Sequence, residues 1–170
     1  MEISLRGKTA LVTGASRGIG AAIAKSFAEA GAQVMLSSRK EDSLRAVAKE
    51  IDGETEVFAA NTGDIEQGQA CVDATMKRFG KIDILVNNAA TNPYYGATLG
   101  VDSSRFDKTF QVNLKGPLFW SQAVFNASMQ KRSRCNFEHR FGGRPSSRTR
   151  SWCLQFDESG DHSFDESTRV

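Results

Sequence analysis

The segment Thr13-Gly14-Ala15-Ser16-Arg17-Gly18-Ile19-Gly20 sets glycines at 14, 18 and 20 between an apolar run and a stretch of helical periodicity. Before it, Thr9-Ala10-Leu11-Val12 reads as a buried strand; after it, apolar residues recur at helical spacing from 21 to 30. A strand that turns sharply into a helix gathers unpaired N–H groups and the positive end of the helix dipole at one point. That point suits the pyrophosphate of a dinucleotide. The first glycine permits the tight turn, and the others let backbone N–H groups approach the phosphates. The candidate cofactor residues of the turn are Gly14, Ala15, Ser16, Arg17, Gly18, Ile19 and Gly20. A glycine turn that binds nothing is the alternative, and the strand-then-helix context favours the site.

The rest of the chain alternates in the same way. Strands are expected over 9–13, 33–37, 56–60 and 82–87, with helices over 19–30, 41–51 and 65–79. Gly31, Gly53 and Gly80 stand at the joins, as at helix C-termini. Such alternation predicts an α/β fold, a Rossmann-like doubly wound parallel sheet with helices on both faces. A fourth, long helix is expected over about 104–130, with a break near Gly116-Pro117.

Composition narrows the function classes. A chain of 170 residues is the size of one domain, and its net charge of +2 argues for neither a nucleic-acid nor a membrane partner. With no signal-peptide pattern or long apolar run at the N-terminus, the expected location is cytoplasmic. Cys71, Cys135 and Cys153 are an odd set without metal-ligand spacing, so a reducing compartment and no metal site are expected.

The end of the second strand bears on the choice of cofactor. A carboxylate there pairs with a ribose 2′-hydroxyl, whereas an arginine receives a 2′-phosphate. Here the sequence is Ser37-Ser38-Arg39-Lys40, with no carboxylate, and Arg17 in the glycine turn offers a second cation. Ser38 and Arg39 therefore point to NADP(H) in preference to NAD(H). The alternative is that Arg39 and Lys40 form a solvated helix entrance.

Asn87-Asn88-Ala89-Ala90 follows the fourth strand, and Val112-Asn113-Leu114-Lys115-Gly116 lies in the long helix. With the glycine turn, these motifs resemble the short-chain dehydrogenase/reductase family, whose patterns are T-G-x-x-x-G-x-G and N-N-A-G. Ala90 stands where the family has the last glycine. The resemblance covers residues from about 5 to 132. It implies a hydride-transferring oxidoreductase that interconverts carbonyls and alcohols with a nicotinamide dinucleotide. It also implies that Asn88, Ala89 and Ala90 lie along the nicotinamide ribose, and that Asn61 and Thr62 meet the adenine. Asn61 as an ordinary turn residue remains an alternative. Asn113 matches the family's catalytic asparagine, which holds a helix kink and a proton-relay water. Relatives of full length generally form homo-oligomers through their long helices. Asn92-Pro93-Tyr94-Tyr95-Gly96 resembles carbonyl and quinone reductases of the family, although the tyrosines serve equally well as loop-packing aromatics.

The resemblance stops where the chemistry should begin. The family transfers the hydroxyl proton through a tyrosine, with a lysine one helical turn later and a serine upstream. No Tyr-x-x-x-Lys occurs in the 170 residues; the only tyrosines are Tyr94 and Tyr95, and the last lysine is Lys131. Residues 133–170 contain no alanine, isoleucine or lysine, whereas the preceding 132 hold 19 alanines. Two domains of sequence are thus expected: residues 1–132 as a partial dinucleotide-binding domain, and 133–170 as a disordered tail outside the family. A natural flexible terminus is one account of the tail. An arginine-rich nucleic-acid arm is another, opposed by a balance of six arginines against six carboxylates.

A shifted reading frame accounts for more of the tail. If each codon takes bases two and three plus the next first base, residues 152–160 can read G-V-Y-S-x-T-K-A-A, which resembles the family's catalytic segment. In that frame Asn136 to His139 can give I-L-N-I, resembling a fifth strand. Phe141 can give a serine 13 codons before the tyrosine at Leu154. One inserted base, or two deleted, near codons 130–135 produces this pattern. Resequencing the gene should find CTA or TTA at Leu154, TTC at Phe141 and GAA at Glu158. CTG at Leu154 together with GAG at Glu158 would refute the shift.

Overall fold

The computed structural model describes residues 4–130. Everything from Lys131 onward, including the expected tail and the shifted-frame segment, lies outside the described residues.

Within them the chain builds four parallel strands: β1 (Thr9–Thr13), β2 (Gln33–Ser38), β3 (Thr55–Ala59) and β4 (Ile84–Val86). Their spatial order is β3-β2-β1-β4, so the chain steps outward from β1 to β3 and then crosses back beside β1. Leu11 pairs with Met35 of β2 on one side and with Leu85 of β4 on the other. The connecting helices are α1 (Gly18–Glu29), α2 (Glu41–Lys49) and α3 (Ile65–Phe79).

The side-chain alternation of the strands divides the core in two. Leu11, Met35 and Leu85 point to a face covered by Val72 and Cys71 of α3 and by Trp120 and Val124 from the long helix. Val12, Val34 and Leu36 point to the other face, where Ala24 and Ala28 of α1 and Leu44 of α2 pack. The alanines let α1 lie close on the sheet. Every residue of β1 is buried, as expected of a central parallel strand covered on both sides. Burial pushes the Cys71 thiol up to about 12, so it behaves as a small apolar core group.

Helix ends are set by local chemistry. Asp64 caps α3 by accepting from the N–H groups of Glu66 and Gln67, and Gly80 closes it in the left-handed conformation at φ 77°. Gly68 of α3 has a different reason to be glycine. A Cβ there would lie 2.8 Å from Trp120 Nε1 and 3.0 Å from its Cε2, and Trp120 is 1% exposed.

The long helix departs from its expected form. It runs as α4 (Ser103–Phe110) and α5 (Gly116–Val124), each followed by a wide π-helical turn, at Gln111–Lys115 and Phe125–Met129. The break expected at Gly116-Pro117 does not occur; Gly116 keeps helical angles of φ −52° and ψ −64°. Proline has no N–H to give to the carbonyl of Asn113 four residues earlier, and the widening falls on the turn that contains that carbonyl. The defect is a bulge in a continuous helix.

Replacing Gly68 with valine forces the branched side chain into Trp120. Chemical denaturation of the 170-residue chain should show a loss of about 1–3 kcal/mol. An unchanged midpoint would contradict the close contact.

Candidate functional site

The C-terminal ends of β1, β2 and β3 open onto a groove of about 810 Å³. Its floor is the glycine turn. Gly14 adopts φ 66° and Gly18 φ 57°, both left-handed and both costly for any other residue. At Gly14 a Cβ would meet Ala89 Cα at 2.9 Å, and at Gly20 one would meet Asn88 Nδ2 and the Gly14 carbonyl, each at 2.5 Å. The glycines therefore hold the turn tightly against the segment after β4.

The N-terminus of α1 opens into this space without a cap. Arg17 at the cap position makes no side-chain bond to the helix, and no acidic residue occupies the first turn. By contrast, Asp64 and Asp102 cap α3 and α4 through their carboxylates. Helix α1 thus presents its first N–H groups and its dipole to an incoming anion.

The wall beside the turn is held by hydrogen bonds from Thr13. Its hydroxyl donates to the Val86 carbonyl at 3.1 Å and accepts from the N–H groups of Asn88 and Ala89, each at 3.1 Å. Asn88 returns the contact, its Nδ2 donating to the carbonyls of Thr13 at 3.0 Å and Gly14 at 3.2 Å. Asn113 fixes a residue further along the same segment. Its Oδ1 accepts from Thr91 N–H at 2.8 Å, and its Nδ2 donates to Thr91 O at 2.9 Å.

Most residues singled out in the sequence meet at this groove. Gly14, Ser16, Arg17, Gly18, Ile19 and Gly20 line one side; Ser38 and Arg39 line the end at β2; Asn61 and Thr62 line the end at β3; Asn88, Ala89 and Ala90 complete the rim. Ala15 does not line it, because its methyl is fully buried in the core beneath the turn. Asn113 stands behind the rim and acts on it through Thr91. Lys40, Ser43, Ala60, Thr91, Lys108 and Val112 also line the groove and were not among the candidate cofactor residues. Ala60 and Thr91 adjoin residues that were, and Val112 precedes Asn113 in the helix motif, but Lys108 arrives from a part of the long helix that no local pattern marked.

The groove is strongly polar in one sense. Among the described residues Arg17, Arg39, Lys40 and Lys108 line it, and no aspartate or glutamate does. The hydroxyl of Ser38 is buried there without a hydrogen-bond partner, a costly state unless a ligand or water completes it. Uncapped N–H groups, a cationic rim and an unsatisfied hydroxyl together suit an extended, multiply anionic ligand. Among the described residues no cluster of histidine, cysteine and carboxylate groups could hold a metal ion, and no helix is long and apolar enough to cross a membrane.

Known proteins share this fold. The family model for short chain dehydrogenases matches residues 8–136. Human dehydrogenase/reductase SDR family member 4 is 38% identical over 131 residues, a match covering 75% of this chain and 47% of the relative. Sorbitol dehydrogenase from Cereibacter sphaeroides is 38% identical over 123 residues, covering 72% of this chain and 48% of that enzyme. Among solved structures, a metagenomic short-chain oxidoreductase in complex with NADP superposes with a TM-score of 0.69 at 38% identity, covering 72% of this chain and 57% of that one. The 3-ketoacyl-(acyl-carrier-protein) reductase of Brucella melitensis, complexed with NADH, gives 0.70 at 35% identity, covering 73% and 51%. The chain spans about half the length of the curated relatives it matches.

Thr13→Val removes the hydroxyl that serves one carbonyl and two N–H groups. It should lower stability by about 1–3 kcal/mol and reduce ligand affinity at the glycine turn. Denaturation and cofactor titration of the same preparation would check both, and a neutral variant would contradict the role assigned to the hydroxyl.

Proposed function

The chain belongs to the short-chain dehydrogenase family, and on that premise we propose that it derives from an NADP(H)-dependent oxidoreductase acting on small carbonyls and alcohols. As a chain of 170 residues without the family's tyrosine and lysine, we infer, it binds the cofactor without turning substrate over.

The observation that carries the cofactor reading is the groove itself. Backbone N–H groups of residues 16–20 at the start of α1 suit the pyrophosphate. The cations of Arg39 and Arg17, beside Ser38, suit a ribose 2′-phosphate, and among the described residues no carboxylate opposes it. Asn61 and Thr62 stand ready for the adenine. Asn88, Ala89 and Ala90 would lie along the nicotinamide ribose. When bound, the nicotinamide supplies the hydride donor or acceptor. The chain's own contribution is orientation: Asn88 holds the rim to the glycine turn, and Asn113 holds Thr91 in place. Pro117 leaves the Asn113 carbonyl without its usual donor, which supports a water at that oxygen.

The reading without turnover is carried by the missing tyrosine, lysine and serine. A non-catalytic cofactor-binding or interaction protein is therefore the second reading, and the shifted frame links the two. In the restored frame, codons for the Ser, Tyr and Lys can fall at the family's spacing, and a fifth strand can follow the long helix. One feature of the described residues supports a lost neighbour. Phe106, Phe110, Leu114 and Leu118 recur every four residues along the long helix, each about half exposed. That stripe also suits homo-oligomer formation by the restored protein. A cytoplasmic setting accords with the free, buried Cys71 thiol.

Calorimetric titration of the 170-residue chain should show NADPH binding more tightly than NADH. Arg39→Ser should raise the Kd for NADPH about tenfold and leave NADH within about twofold, the loss expected for one charge-assisted bond. Equal losses for both would overturn the 2′-phosphate assignment. Restoring the frame should confer NADPH-dependent ketone reduction that the 170-residue chain lacks; turnover by the latter would overturn the inactive reading.

A further inference from the structure

Three of the groove's four cations stand at the glycine turn or at the start of α2. The fourth, Lys108, comes from α4, more than sixty residues further along the chain. It lies one helical turn before Val112, on the same side of the helix, and both line the groove. Lys108 is partly buried, and no carboxylate lies within ion-pair distance of it among the described residues. Its ammonium donates to Gln111 Oε1 at 3.4 Å, a long bond that leaves the amine free to turn toward a better acceptor. Gln111 in turn donates from Nε2 to the Gly63 carbonyl at 3.0 Å. A Cβ at Gly63 would sit 3.2 Å from Gln111 and from Val112 Cγ2, so the widened turn that follows α4 rests directly on the turn after β3. This contact joins Lys108 and Val112 to Asn61 and Thr62, at the groove end away from β4.

We propose that Lys108 is an adenine-binding residue: Val112 and the lysine stem form the apolar wall against the base, and the ammonium is drawn to its π face or ring nitrogens. The proposal rests on the dinucleotide reading above and adds a contact to it. A half-buried lysine with no carboxylate partner, beside an apolar side chain, matches a flat aromatic base better than it matches a phosphate. A phosphate at this wall would face Val112 instead of the N–H groups and arginines across the groove.

The test is titration of the 170-residue chain and its Lys108→Met and Lys108→Arg variants with NADPH, NADH and reduced nicotinamide mononucleotide, which has no adenine. Lys108→Met keeps the stem and removes the charge. It should weaken NADPH and NADH by the same factor, about three- to fivefold, and leave the mononucleotide unchanged. Lys108→Arg should recover both dinucleotides to within about twofold. Thermal melts of both variants should match the parent, since the residue is partly solvated. Three outcomes overturn the proposal while the cofactor reading stands. They are unchanged dinucleotide affinity in Lys108→Met, a loss confined to NADPH (which would place Lys108 at the 2′-phosphate), or an equal loss for the mononucleotide. If the unmodified chain binds neither dinucleotide, the cofactor reading itself fails, and the adenine contact with it.

Discussion

Thr13, the last residue of β1, extends its hydroxyl sideways to the Val86 carbonyl at the end of β4 and receives the N–H groups of Asn88 and Ala89. Asn88 answers through its amide to the carbonyls of Thr13 and Gly14. The two strands part at their C-terminal ends, and backbone groups there would be left without partners in a buried place. The clasp satisfies them and fixes the glycine turn against the segment after β4. Gly14 and Gly20 are glycines partly because this clasp fills the space a Cβ would need. The floor and one rim of the groove thus depend on one threonine hydroxyl and one asparagine amide.

The opposite rim is held less directly. The long helix reaches the turn after β3 through Gln111 and Val112, and Gly63 allows the approach. The widened turn at Gln111–Lys115 brings Asn113 around to grip Thr91 while Val112 stays buried. The second widened turn does similar work lower down, where Ser128 accepts from Ile82 N–H at 2.8 Å as the chain enters β4. π-type turns are costly relative to α-helix and concentrate where a side chain must be re-aimed. Both turns here re-aim a polar side chain onto a segment flanking β4.

Electrostatics and packing divide the labour at the groove. The uncapped α1 N-terminus favours negative charge through its fixed dipole and N–H groups, which need no rearrangement when a ligand arrives. Arg17 and Arg39 are exposed and add charge that salt can screen. Ser38 stands apart because its hydroxyl is buried and unpaired. The fixed dipole of the uncapped helix end is the stronger structural argument for an anionic ligand.

The sequence alone determined the strand and helix alternation, the glycine turn and the family resemblance, because each is written in short-range periodicity and spacing. The strand at Thr9–Thr13 and the helix at Ile65–Phe79 fall where periodicity set them, and β2 differs by one residue. Strand β4 is shorter than its apolar pattern, since only Ile84–Val86 pair in register with β1 and pairing ends where the clasp begins. What tertiary structure decided lies across long separations. It put Ala15 into the core, it smoothed the expected break at Gly116-Pro117 into a bulge, and it carried Lys108 and Val112 to the rim. The physical reason is the same in each case. Periodicity reports which face of an element is apolar, but the width of a helical turn and the company a side chain keeps are set by elements packed against it from elsewhere in the chain.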